Sequence, residues 1–253
     1  MEHLGKHALV TGGGSGIGAG IAIALAEAGA EVTITGRRTD KLEQVAALSD
    51  RLHALVMDVD DEASVRDKIA DAAKARGPIQ ICVANAGIAE GGPFETTTLA
   101  QWRKTMTTNL DGVFLTFQAA MATLEDATPA RMIVVSSIAG VRGLKNAIAY
   151  TVTKHGVIGL IRGLSEEFMR RPITFNALCP GYVDTDIVRN QIPGIMKRYD
   201  VDEQGAIDLI SSGNRHKKLL EVDEITVAAM WLCSEGARSV NGQTIQISGG
   251  QVS

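Results

Sequence analysis

The sequence predicts an α/β fold built as a single doubly wound domain, a seven-stranded parallel sheet with helices on both faces. Two observations point there. Short apolar runs rich in β-branched residues alternate with longer runs of helical periodicity, the rhythm of successive βαβ units. A parallel sheet covered on both faces favours small and branched apolar residues over aromatics. The 253-residue chain is 45% apolar, holds 27 glycines and is only 4% aromatic. No Gly/Ser-rich or Pro-rich linker and no internal repeat interrupts the rhythm, so residues 1–253 are read as one domain.

The elements follow in order. Residues 7–11 (HALVT) are the first strand, and glycines at 12–18 turn the chain into a helix over 16–28. The run EVTIT at 31–35 is the second strand, followed by a helix at 40–47. A strand at 54–57 leads to a charged, amphipathic helix at 62–76, and IQICVA at 79–84 is the fourth strand. A long helix is expected over 99–124, then a strand at 132–136, a second long helix over 149–170 and a strand at 173–178. A helix near 222–233 and a seventh strand at 244–248 close the series. Residues 184–220 are irregular, charged and long for a connection, and read equally as a lid or as a surface excursion.

Charge and cysteine usage exclude several classes. A net charge of -4 and the absence of a duplex-binding motif argue against a nucleic-acid binder. Cys82, Cys179 and Cys233 stand singly in apolar surroundings and read as reduced core thiols of a cytoplasmic protein. No signal peptide or membrane anchor is evident, and no His/Cys/carboxylate cluster supports a metal site.

Two local patterns point to chemistry. In Thr11-Gly12-Gly13-Gly14-Ser15-Gly16-Ile17-Gly18, glycines sit between the first strand and the first helix. There Gly12 and Gly16 can turn tightly and let backbone N–H groups approach a pyrophosphate, and Gly18 lets the helix pack on the sheet. Farther on, Tyr150 and Lys154 stand four residues apart, which on a helix places phenol and ammonium on one face. A free phenol titrates near pH ~10, so use as an acid and base near neutrality needs its value brought down by roughly 2 to 3 pH units, in the direction a nearby cation supplies. Taken alone, such a pair also suits an ordinary solvated helix face.

The pattern T-G-x-x-x-G-x-G is joined by Asn85-Ala86-Gly87, Asn109, Ser136-Ser137, Tyr150-x-x-x-Lys154, Pro180-Gly181 and Gly249-Gly250. In these matches the chain resembles the short-chain dehydrogenase/reductase family over essentially its whole length. The resemblance implies a Rossmann domain that binds a nicotinamide dinucleotide through Gly12, Ser15, Gly16, Ile17, Gly18, Asp58, Val59, Asn85, Ala86, Gly87, Pro180, Gly181, Val183 and Thr185, together with Tyr150 and Lys154. It assigns Ser137 to the substrate oxygen and Tyr150 to proton transfer. Lys154 would bind the nicotinamide ribose while depressing the tyrosine, and Asn109 would support a water relay. The thirteen-residue interval to Tyr150 selects Ser137 over Ser136, and Asp58 could equally cap the helix that follows it. His155, rotated by about 100° from Lys154 on a helix, reads as structural.

At the end of the second strand the chain has Gly36-Arg37-Arg38 where a carboxylate would grip the ribose 2'-hydroxyl. Arg37 then offers bidentate contact to a 2'-phosphate, which favours NADP(H), with NAD(H) possible; Ser15 stands where the family has its other basic determinant. The alternative is that both arginines are solvated. The expected reaction is hydride transfer between NADP(H) and a carbonyl or secondary alcohol, foremost a 3-oxoacyl thioester carried on CoA or an acyl-carrier protein. Relatives specific for free 3-hydroxybutyrate have a histidine and a lysine at the positions of Ala139 and Ala147, so small free hydroxy acids fit less well. Arg142, Lys145, Arg189, Lys197, Arg198 and the cluster Arg215-His216-Lys217-Lys218 are expected to give the pocket a basic rim that steers a phosphorylated carrier, or else to be solvated. A cofactor-binding regulator without turnover is the other reading, and Tyr150 and Lys154 argue against it. By family analogy the long helices build a homotetramer.

Overall fold

The computed structural model describes residues 2–251. Strands β1 (His7–Thr11), β2 (Glu31–Gly36), β3 (Leu52–Val56), β4 (Ile79–Ala84), β5 (Ala130–Val135), β6 (Ile173–Pro180) and β7 (Thr244–Ile247) form one sheet. Their order is β3-β2-β1-β4-β5-β6-β7, with every pairing parallel. From β1 the chain winds outward to β2 and β3. It then crosses back to β4, beside β1, and winds the other way. At this reversal the loops leaving β1 and β4 part to opposite faces and open a crevice at the carboxyl edge.

Helices α1 (Gly16–Glu27), α2 (Thr39–Ala46) and α10 (Val222–Cys233) contribute to the layer on one face, where Ile21, Leu25, Leu42, Ile225 and Leu232 are buried. Helices α3 (Glu62–Arg76), α5 (Gly112–Met121) and α6 (Ile148–Glu167) supply the layer on the other, around Ile69, Phe117, Ile161 and Phe175. The Phe117 and Phe175 rings meet edge to face at 6.4 Å, a favoured aromatic geometry. The three cysteines are buried and unpaired. No helix among the described residues is long and apolar enough to cross a membrane.

The structure departs from the sequence expectation in two places. The helix expected over 99–124 is divided into α4 (Leu99–Met106), a π-turn at Thr107–Asp111 and α5. The break leaves no composition signal, because backbone angles stay helical through it, with φ -60° and ψ -33° at Gly112. Just past it, Gly112 packs closely on the β3–α3 loop, where an added Cβ would lie 3.0 Å from Val59. Thr108, within the turn, ties to the β3–α3 loop by donating to Asp60 Oδ2 at 3.0 Å. The second departure is the stretch 184–220, which holds α7 (Asp186–Arg189), α8 (Ile192–Tyr199) and α9 (Glu203–Ser211) around its own small core of Val188, Ile192, Ala206 and Ile210. Both its ends are pinned at one point, Asp184 N–H donating to Leu220 O at 2.9 Å and Leu220 N–H to Tyr182 O at 2.8 Å.

Candidate active site

The glycine-rich turn takes the shape its sequence suggested. Gly12 (φ +66°) and Gly16 (φ +54°) both occupy the left-handed region, which glycine enters without steric cost. A Cβ on Gly12 would lie 2.8 Å from Asn85 Nδ2, and one on Gly18 would run into the Gly12 carbonyl oxygen. Asn85 closes the turn from the β4 side: its Nδ2 donates to Thr11 O at 3.0 Å, while the Asn85 and Ala86 N–H groups both donate to Thr11 Oγ1 at 3.0 Å. The Asn85 amide therefore braces the cradle. Ile17, Asn85, Gly87, Pro180, Gly181, Val183 and Thr185 line the adjoining cleft. Thr185 lies over Gly16, with its Cγ2 3.1 Å from where a Cβ would stand. Positive-φ glycines at a strand-to-helix turn on the reversal point fit a dinucleotide pyrophosphate.

At the end of β2 the two arginines separate in role. Arg37 Nη1 lies 3.9 Å from Asp58 Oδ2, whereas Arg38 Nη2 donates to Ser15 Oγ at 3.2 Å. It is Arg38 that reaches the glycine turn, onto the serine where the sequence left a basic group missing. Composition could not separate two adjacent arginines. Asp58 accepts from Asp60 N–H, and Asp61 caps α3, so the capping alternative for Asp58 falls away.

The serine, tyrosine, lysine and asparagine converge from three elements. Ser137 follows β5 and its Oγ accepts the Ala139 N–H at 3.1 Å. Tyr150 and Lys154 project from α6 into the same cleft. Ser136 also lines the cleft, but its hydroxyl is engaged, donating to Lys154 O at 3.0 Å. Lys154 Nζ donates to Val135 O at 2.8 Å and lies 5.5 Å from the Tyr150 ring centroid. From the π-turn, fully buried Asn109 donates to Ile88 O and accepts from Ile88 N–H, both at 2.8 Å, and holds the loop after β4. Gly87 separates the two groups: its Cβ would lie 3.2 Å from Asn109 Oδ1 and 3.8 Å from Lys154 Nζ. His155 turns away and bonds Thr151 O.

Burial dominates the electrostatics. It pushes the Lys154 ammonium down to about 8. It also raises the Tyr150 phenol above its ordinary value, against the opposing pull of a hydrogen bond with Ser137. The depressed phenol expected from the neighbouring cation is thus reversed. Desolvation penalises the phenolate, and the ammonium is engaged with a backbone carbonyl beside the ring.

The cleft has a volume of about 700 Å³, and beyond Ser137, Tyr150 and Lys154 its walls are mainly apolar, including Ile88, Ile138, Leu144, Tyr182, Ile187 and Ile195. The expected basic rim shrinks. Of the cations named for it, Lys145 and Arg198 line the cleft. Arg189 is bound by Asp184 and Glu203, and Arg142 donates to Gln251 O at 3.3 Å. Loop packing decided these outcomes, and no spacing rule foretells it. Tyr182 and Asn146 line the cleft without any sequence signal.

A short chain dehydrogenase family model matches residues 6–195. Levodione reductase of Leifsonia aquatica is 33% identical over 252 residues, covering 96% of this chain and 92% of that protein. A crystal structure of levodione reductase superposes with a TM-score of 0.92 at 30% identity over 98% of each chain. Acetoacetyl-CoA reductase of Rhizobium meliloti (strain 1021) is 32% identical over 244 residues, covering 96% and 97%. A crystal structure of an actinorhodin polyketide ketoreductase variant with NADPH has a TM-score of 0.92 at 27% identity over 97% of each chain.

Proposed function

The chain belongs to the short-chain dehydrogenase family, oxidoreductases that act on CH–OH groups with NAD(P)(H), and from that premise we propose that it is an NADP(H)-dependent reductase of 3-oxoacyl thioesters. The observation that carries this reading is the convergence of Ser137, Tyr150 and Lys154 on one wall of the cleft beside the glycine cradle. In the proposal Gly12, Ser15, Gly16, Ile17 and Gly18 hold the pyrophosphate end, and Asp58 and Val59 the adenine. Asn85, Ala86, Gly87, Pro180, Gly181, Val183 and Thr185 frame the nicotinamide end, with Tyr150 and Lys154 at its ribose. When bound, the nicotinamide supplies the hydride.

The residues handle the oxygen and the proton. Reduction builds negative charge on the carbonyl oxygen, and the Ser137 hydroxyl and Tyr150 phenol are donors set in a poorly solvated wall. A phenol whose value is raised by burial stays protonated at neutral pH, which suits a donor. Once Tyr150 has given up its proton, the Lys154 ammonium stabilises the phenolate. Asn109 positions the loop at Ile88 and is proposed to support proton return from water through Lys154.

NADP(H) is favoured because no acid stands at the end of β2 and because Arg38, held on Ser15, sets beside the glycine turn a guanidinium that would bind a 2'-phosphate. Arg37 is the second candidate, shared with Asp58. The acetoacetyl-CoA reductase and the NADPH-bound ketoreductase support the same reading. So do Ala139 and Ala147, which offer no charged partner to a free carboxylate near Ser137. We read 184–220 as a lid over the substrate end, since α7 and α8 supply part of the cleft wall. A homotetramer is proposed as well, through the helix faces that expose Phe114, Ile148 and Val152.

The test is nicotinamide oxidation with 3-oxoacyl thioesters, cyclic ketones and free 3-oxoacids, each with NADPH and NADH. Thioesters with NADPH are expected to give the highest kcat/KM. Replacing Arg38 by Gln should lower kcat/KM for NADPH by about 10- to 100-fold while sparing NADH. Turnover confined to free oxoacids, or a variant that loses NADH and NADPH equally, contradicts the reading.

A further inference from the structure

The chain end that follows β7 touches three parts of the site in a way no motif suggested. Arg142, five residues past Ser137, is half-buried, and its Nη1 donates to Gln251 O at 3.3 Å. The return limb of the 184–220 excursion meets the same turn: Arg215 N–H donates to Gly249 O at 2.7 Å, and a Cβ on Gly249 would lie 3.0 Å from Asn214 Cβ. The Gln251 side chain packs against two glycines at once. Its Oε1 lies 3.3 Å from where a Cβ on Gly181 would stand, and its Nε2 lies 2.9 Å from where one on Gly213 would stand. The turn can pass this closely because Gly249 (φ +59°) and Gly250 (φ +82°) take left-handed angles.

On its other side the Ser137 loop is already fixed. A Cβ on Gly140 would lie 2.5 Å from Ser136 Oγ and 2.6 Å from Lys154 O, so the loop is packed directly onto α6. The excursion is closed at its base by the pairing of Asp184 and Tyr182 with Leu220. Residues 248–251 join it to the serine loop, through Arg142 on Gln251 and Arg215 on Gly249.

We propose that residues 248–251 form a latch that sets the position of the lid relative to Ser137, and that Arg142 and Gln251 are positioning residues for substrate closure. The latch rests on the reading of 184–220 as a lid. It acts on the half of the cleft that receives the carbonyl compound, beyond the base at Tyr182, Asp184 and Leu220 that keeps Thr185 over Gly16. Loosening it weakens substrate capture without weakening NADPH binding.

Three variants test this: Arg142→Gln, Gly213→Ala and a chain ending at Gly250, with Arg142→Lys as the conservative control. Two readouts are taken on the NADPH-bound protein, the rate of tryptic cleavage after Lys197 and Arg198 in α8 and the split between KM and kcat for the carbonyl substrate. Each of the three variants is expected to speed lid cleavage and raise KM by about tenfold, with the Kd for NADPH within about twofold of wild type. Arg142→Lys should restore most of the difference. Arg142→Gln added to the shortened chain should cost little more than the shortening alone. Unchanged cleavage and KM, parallel loss of NADPH affinity, or fully additive effects would overturn the latch. If wild type reduces no carbonyl compound, the proposed reaction fails while the cleavage rates still decide the latch.

Discussion

In the proposed reaction Lys154, as the charged partner of Tyr150, sets how turnover responds to pH. Burial holds its ammonium at about 8, below the ordinary 10.5. Reduction needs the charged form, so kcat/KM for the carbonyl substrate should fall as pH rises through about 8, approaching about tenfold per pH unit. Stability runs the opposite way. The unfolded chain binds the proton more tightly, so between about 8 and 10.5 the ligand-free protein gains stability from this group as pH rises, and loses it as pH falls through 8. Melting temperatures of wild type and Lys154→Met should diverge across that window. A flat kcat/KM profile to pH ~10 would remove Lys154 from the chemistry. At this scale the sequence was legible wherever a side chain stood in a fixed register, as with Ser137, Tyr150 and Lys154. It named Arg37 for a 2'-phosphate and could not foresee that loop packing sets Arg38 on Ser15 and Arg37 beside Asp58. The direction of the Tyr150 shift was also hidden, because desolvation depends on what covers the ring.

Among the elements, the β1–α1 turn is the most constrained. Gly18 has no room for a side chain against the Gly12 carbonyl, and its Cβ would also lie 2.5 Å from Asn85 Nδ2. Gly18→Ala must push β1, α1 and the β4 end apart. We expect a loss of about 1–3 kcal/mol of stability and a much weaker Kd for NADPH, measured by denaturant melts and fluorescence titration. Unchanged binding would show that the turn is not the pyrophosphate cradle. Strands were legible because a buried parallel sheet writes itself as short β-branched runs. The π-turn was not, because one extra residue inside a helix leaves both flanking periodicities intact. That turn still places the fully buried Asn109 between Ile88 and Thr153, close to Lys154. Its position could be read from resemblance, but its backbone could not.

At the scale of the molecule, the order β3-β2-β1-β4-β5-β6-β7 puts the glycine turn and the wall of Ser137, Tyr150 and Lys154 on the same carboxyl edge, so the proposed cofactor and substrate share one crevice. The parallel, doubly wound sheet was legible in the βαβ rhythm, whereas the strand order was not, because rhythm does not say beside which strand each crossover returns. Outside the crevice, α5 and α6 expose Phe114, Ile148 and Val152, large apolar groups that assembly would cover. Gel filtration should give about four times the 26.8 kDa chain mass, and a monomer would contradict the proposed assembly. In the proposed reaction Tyr150 donates its proton to a carbonyl reduced by NADPH. The most direct test of this step is the steady-state rate of NADPH oxidation with a 3-oxoacyl thioester, comparing wild type with Tyr150→Phe at equal NADPH occupancy. Wild type should turn over, and the variant should lose roughly 10²- to 10⁴-fold in kcat with little change in NADPH Kd. A variant as fast as wild type, or a wild type that binds NADPH and reduces no carbonyl compound, would contradict it.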